Sequence, residues 1–249
     1  MAISVEHFGR TYGTFTAVND LSFEVASGEI VGLIGPNGAG KTTTLRSLAG
    51  ILRPTAGRAA IDGHDIVTSP LEAKRCLAFM PDEPHLFEYL TVDEHLRLIA
   101  RLYGVDDFER RSRELIEELE LTGKERSLPG ELSRGMRQKV VIACGLVRPA
   151  TTLLFDESLT GLDPIGIRRM RSTIVARARA GAAILLSSHL LHLVQEVCSR
   201  VIIMDRGSKI ADGTVDELAS RADLAEAGSN LEQIFMRVTG HDSGERSPL

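Results

Sequence analysis

Nowhere in its 249 residues does the chain carry a long apolar run. The longest, Val140 to Val147, falls well short of the roughly 18 residues that a spanning helix needs, so no membrane segment is expected. Paired cysteines are also missing. Cys76, Cys144 and Cys198 are odd in number and widely spaced, with no C-x-x-C. This excludes a disulfide framework and argues against a thiolate metal site; all three are expected as core thiols in a reducing compartment. The opening MAISVEHFGR has no basic stretch followed by an apolar one, so no secretory signal is expected. An excess of positive charge is absent too. A formal net charge of −5 excludes a protein held on nucleic acid by bulk electrostatics. No internal repeat is visible. What remains, 43% hydrophobic and 25% charged residues, is the composition of a globular chain with a sizeable core.

The most informative positive feature is Gly35-Pro36-Asn37-Gly38-Ala39-Gly40-Lys41-Thr42-Thr43. It fits G-x-x-x-x-G-K-[ST], a phosphate-binding loop. It follows the apolar run Ile30–Ile34 and precedes a helix-like segment carrying Leu45, Leu48 and Ala49, the context that gives this motif its meaning. Glycines let consecutive backbone N–H groups turn toward phosphate oxygens, and the next helix presents its positive end to the same anion. Lys41 is placed to reach the β- and γ-phosphates, and the Thr42 hydroxyl to ligate Mg²⁺.

A second element is the apolar run Thr152–Phe155 ending in Asp156 and Glu157. Carboxylates at the C-terminal end of a buried parallel strand face the crevice where such sheets bind ligands. Asp156 suits Mg²⁺, directly or through water; Glu157 suits polarising an attacking water. A solvated or helix-capping turn is the bland alternative, and the phosphate loop weighs against it.

The flanking pattern predicts an α/β chain. Ile3–Phe8, Leu21–Val25 and Arg58–Ile61 read as antiparallel strands. From about Thr91 to Val147 the spacing is helical: Leu96, Ile99, Ala100 and Tyr103 with Thr91 and Glu94 as a capping box, then Leu115, Ile116 and Leu119, then Val140, Ala143 and Val147. Continuous apolar runs at Thr152–Phe155, Ala183–Ser187 and Val201–Met204 read as buried parallel strands. Asp163-Pro164 opens a helix, and Ser208–Gly213 reads as a hairpin. The polar stretch from His241 is expected to be disordered.

The segment Leu132-Ser133-Arg134-Gly135-Met136-Arg137-Gln138-Lys139 gives only a helix start capped by Ser133 when taken alone. Taken with the phosphate loop, the helical stretch and the strand ending in Asp156-Glu157, the chain from Tyr12 to about Gly240 resembles an ABC-transporter ATPase domain. The resemblance implies a phosphate-loop ATPase core with a mostly parallel sheet, a small antiparallel β-subdomain and an inserted helical subdomain at about 88–148, all within residues 1–240. It implies ATP and Mg²⁺, and a head-to-tail dimer in which Ser133 and Gly135 close over the γ-phosphate held by the other protomer. It also implies that Tyr12 stacks on adenine, that Asp163 links the two sites, and that His189 contacts the γ-phosphate. His85 and His192 match no such role and read as surface or packing residues.

The sequence departs from the family pattern at Arg134 and Met136, at Ser158 where proline is usual, and at Asp82 where the lid loop usually has glutamine. Aspartate can ligate Mg²⁺ or its water, though it is shorter and charged. The implied partner is a separate transmembrane permease whose cytoplasmic helices dock beside Pro81–Leu86, with this chain peripheral on the inner face of the cell membrane. Homodimer and paralogue heterodimer both fit. The stretches Pro81–Pro84, Ser133–Met136 and Leu231–Gly240 resemble the exporter branch. The alternative is a soluble ATP-driven switch on a ribosomal, DNA or assembly complex.

Overall fold

The computed structural model describes residues 1–222 and 230–240. The chain runs β1 (Ile3–Tyr12), β2 (Phe15–Val25), β3 (Ile30–Ile34), α1 (Lys41–Leu48), β4 (Ala56–Ile61), β5 (His64–Asp65), α2 (Pro70–Cys76) and β6 (Leu77–Met80). Three helices follow: α3 (Val92–Leu102), α4 (Phe108–Glu118) and α5 (Arg134–Leu146). Then come β7 (Thr152–Asp156), α6 (Pro164–Arg179), β8 (Ala183–Ser187), α7 (Leu191–Val197), β9 (Arg200–Asp205), β10 (Ser208–Gly213), α8 (Val215–Arg221) and α9 (Leu231–Thr239).

Six strands form the central sheet in the order β10-β9-β3-β8-β7-β6. All neighbours are parallel except β10, which runs antiparallel to β9. The second sheet, β2-β1-β4-β5, is antiparallel. A strand buried on both faces gains nothing from alternation, which is why β3, β7 and β8 are continuously apolar. Their residues nonetheless divide by face. Leu153, Phe155, Ile184 and Leu186 pack toward the inserted helices with Leu96 and Val140. Leu154, Ala183 and Leu185 pack toward α1 and the antiparallel sheet with Leu45, Leu48 and Phe8.

Thr91 accepts from the Glu94 N–H and Glu94 reaches back to the Thr91 N–H, the reciprocal pair its sequence announces at the start of α3. Two expectations need correction. Ser208–Gly213 is one strand, not a hairpin; the turn lies at Arg206-Gly207, and β10 pairs back on β9. The three cysteines are free and half-buried at the margins of the core rather than within it: burial raises the thiol pKa of each, to about 12 at Cys144, and Cys76 also lies beside Asp62 and Thr151. His85 and His192 are exposed. The stretch 241–249 lies outside the described residues.

Candidate functional site: a phosphate loop facing two carboxylates

β3 lies between β8 and β9, so the loop after Ile34 emerges at the C-terminal edge of the parallel sheet. Its glycines answer two demands. A Cβ on Gly35 would sit 2.3 Å from the Met204 carbonyl oxygen, and Gly40, at φ +101°, leaves no room for one beside the Ala17 carbonyl at 2.6 Å. The loop is thereby drawn tight against β9 and β2. Among the described residues, the backbone N–H groups of Asn37, Gly38 and Gly40 donate to no protein acceptor, while the Ala39 N–H donates to Pro36. Unpaired donors at the start of α1 form a cradle for an anion.

Lys41, almost fully buried, donates to the carbonyls of Gly35 (2.7 Å) and Pro36 (3.2 Å) and lies 4.0 Å from Glu157. Burial lowers its pKa, with Glu157 and Asp156 opposing. The Thr42 hydroxyl donates to Asp156 Oδ1 at 3.0 Å. Asp156 ends β7 opposite Ser187 of β8, and burial raises its pKa, with the Thr42 bond and the Arg46 charge opposing. Both groups are thus short of solvent, and both would gain from a phosphate and a divalent cation.

Glu157 leaves the strand at φ +52° and its N–H donates to the Ser187 carbonyl at 3.0 Å. Glu157 Oε2 accepts from the His189 N–H at 3.0 Å and lies 2.8 Å from His189 Nδ1. The left-handed turn, a strained conformation for a residue with a Cβ, leaves the Glu157 carboxylate between His189 and Lys41.

A cleft of about 330 Å³ is lined by Tyr12, Phe15, Ala17, Asn37 to Thr43, Asp82 and Glu157. Tyr12 is half-exposed, with the Arg10 guanidinium 4.5 Å over its ring. Phe15, 63% exposed, shares the cleft and escaped the sequence reading because no motif contains it.

Ser133, Gly135 and Asp163 do not line this cleft. They sit together elsewhere. Ser133 caps α5 by accepting from Met136, Asp163 caps α6 by accepting from Gly166, and Gly135 packs so closely that a Cβ would lie 2.8 Å from the Gly161 oxygen. The Lys139 ammonium, 3.1 Å from Glu120 and 3.8 Å from Asp163, ties the two helix starts together. One further link has no sequence signature. The buried Gln138 amide donates to the Pro81 carbonyl at 2.8 Å, joining α5 to the loop that carries Asp82.

The donor set around Thr42 suits Mg²⁺: a hydroxyl and the Asp156 carboxylate, with Asp82 close enough to act on Asp156 electrostatically. Among the described residues no cluster of three or more His, Cys, Asp or Glu could hold a metal alone.

A phosphate loop at the edge of a parallel sheet, facing an Asp-Glu pair, defines a P-loop nucleoside-triphosphatase. The particular family follows from the comparisons: residues 18–160 match the ABC transporter family. The chain is 32% identical over 97% of its length to the ABC-type transporter ATP-binding protein EcsA of Bacillus subtilis, covering 98% of that protein. It is 37% identical over 89% of its length to the doxorubicin resistance ATP-binding protein DrrA of Mycobacterium tuberculosis, covering 68% of it. A solved structure described as the ATP-binding subunit of an ABC transporter superposes with a TM-score of 0.91 at 34% identity, over 96% of this chain and all of the other. The chain belongs to the ABC transporter ATP-binding family, and its catalytic class is ATPase. Among the described residues no helix is long and apolar enough to cross a membrane.

Proposed function

We propose that this chain is the ATP-hydrolysing subunit of an exporter, driving a separate permease through ATP-dependent pairing of two such subunits. One observation carries the reading: Lys41, Thr42, Asp156 and Glu157 converge on the phosphate loop, whereas Ser133 and Gly135 stand outside that cleft. A second chain is the natural source of a signature helix for each ATP. The exporter branch is supported by the relative named for doxorubicin resistance and by the stretches at Pro81–Pro84 and Ser133–Met136.

In this reading Gly35–Thr43 hold the triphosphate, Tyr12 stacks on adenine with Arg10 behind it, and Phe15 walls the same cleft. Lys41 exchanges its bonds to the Gly35 and Pro36 carbonyls for phosphate oxygens. Thr42, Asp156 and Asp82 would hold Mg²⁺, which when bound offsets charge on the phosphates. Glu157 takes a proton from the attacking water, and His189 fixes its carboxylate and faces the γ-phosphate. Ser133, Gly135 and Asp163 complete the partner's site, with the helix start of α5 as clamp. The helical subdomain spans about 88–148. A groove lined by Phe79, Pro81, Leu86, Phe87, Leu98 and Ile99 lies beside the lid loop and receives the permease's cytoplasmic segment.

The test is recovery of the chain as Glu157→Gln with ATP from detergent-solubilised membranes of its source. A polytopic membrane protein in stoichiometric amount is the expected companion. Recovery of the chain alone, or with ribosomal or assembly proteins, would replace the exporter by a soluble ATP switch.

A further inference from the structure

Next to the groove just described lies a second, of about 750 Å³, between the ends of α2, α3 and α5. Lys74, Arg75, Arg101 and Arg148 line it, and no Asp or Glu does. In a chain of net charge −5 this is a local reversal of sign. The four cations are not equivalent. Arg148 is buried, donates to the carbonyls of Lys74, Arg75 and Leu77, and lies 3.5 Å over the Tyr103 ring, so it holds the wall together. Lys74, Arg75 and Arg101 are exposed, and among the described residues their side chains make no hydrogen bond or ion pair.

Cations in the last turns of α2 and α3 favour the negative helix ends, and that alone could account for them. It does not account for what stands among them. Leu71 and Leu102 are each 68% exposed on the same groove, next to half-exposed Tyr103. Apolar tips interleaved with unpaired cations suit a surface that is anionic outside and apolar beneath. A soluble polyanion would use the charges and leave the leucines in water. Glu72, on the same helix, lies outside the lining.

We propose that this groove is a contact site for anionic phospholipid headgroups, with Leu71 and Leu102 entering the headgroup–acyl boundary. Lys74, Tyr103 and Arg148 line both grooves, so a permease seated in the first would place the second against surrounding lipid. The proposal uses the permease reading only for this orientation; lipid binding is testable without a permease.

The full chain is sedimented with phosphatidylcholine vesicles and with phosphatidylcholine–phosphatidylglycerol vesicles. Binding is expected to the anionic vesicles only, and to fall as salt shortens the screening length from about 10 Å at 0.1 M to about 3 Å at 1 M. Arg75→Gln and Arg101→Gln together, which line this groove only, are expected to weaken it roughly twenty-five-fold, about fivefold per charge. Leu71→Ser with Leu102→Ser is expected to weaken it at unchanged charge. Both variants should keep the parent's ATPase rate and melting temperature, which separates lost binding from lost folding. Absence of binding, equal binding to both vesicles, or charge variants that bind like the parent would overturn the proposal. Competition by inorganic phosphate at constant ionic strength, with the leucine variant unaffected, would also overturn it and point to a soluble anion. Charge variants that lose only a permease's acidic segment, with no vesicle binding by the parent, would reassign the groove to protein.

Discussion

His189 meets one oxygen of Glu157 twice: its backbone N–H donates to Oε2 at 3.0 Å and its ring Nδ1 lies 2.8 Å from the same atom. The histidine therefore fixes where Glu157 points, and Glu157 needs that restraint because it leaves β7 in a left-handed turn. His189→Ala removes the ring contact but spares the backbone one. Turnover should fall about a hundredfold, the lower range for a general acid–base contribution. ATP affinity should change little, so a kcat loss without a matching loss of nucleotide binding checks the assignment.

Asp156 carries a pH signature. Burial raises its pKa in the folded chain, so the unfolded chain gives up this proton at lower pH. A raised carboxylate pKa means that the ionised group weakens the nucleotide-free fold at neutral pH, and that the penalty vanishes once both states are protonated. Asp156→Asn keeps an acceptor for Thr42 and removes the charge. It should raise the melting temperature of the nucleotide-free protein at pH 7, and the gain should disappear below about pH 4, the ordinary aspartate value. The same variant should lose Mg²⁺-dependent hydrolysis.

Gly35 tests the loop by size alone. Its φ is not in the left-handed region, yet an added methyl would sit 2.3 Å from the Met204 oxygen. Gly35→Ala should cost on the order of 1–3 kcal/mol of stability, as overpacking does. It should also abolish ATP binding, which calorimetry on the folded fraction measures.

Asp82 lines the cleft and acts electrostatically on Asp156. If it holds Mg²⁺ or its water, Asp82→Ala should raise the Mg²⁺ concentration for half-maximal hydrolysis by roughly tenfold, as loss of an outer ligand does. A Mg²⁺ titration at saturating ATP reads this directly.

The sequence made the site's centre visible because that chemistry is local. A strand, a glycine loop and a lysine must be contiguous, so Gly35–Thr43 declares itself, and Asp156-Glu157 closes a strand whose apolar run is equally plain. The capping pair Thr91–Glu94 was legible for the same reason. Long-range placements were not. Leu77–Met80 is only a short edge strand, defined by its partner β7 and not by its own pattern. Phe15 reaches the cleft because β1 and β2 fold back on each other. Gln138 finds the Pro81 carbonyl across 57 residues, a hydrogen bond that periodicity cannot announce. The hairpin expected within Ser208–Gly213 failed because its turn residues, Arg206-Gly207, lie just before it.

The most direct test of the central claim, that Glu157 activates water for an ATP shared between two chains, is single-turnover hydrolysis and sedimentation of Glu157→Gln with Mg²⁺ and ATP. The account expects hydrolysis to fall by at least about a thousandfold, within the range for a lost general base, while ATP stays bound and a dimer accumulates. Hydrolysis at the parent rate would remove Glu157 from its role, and an ATP-loaded chain that stays monomeric would remove the shared site.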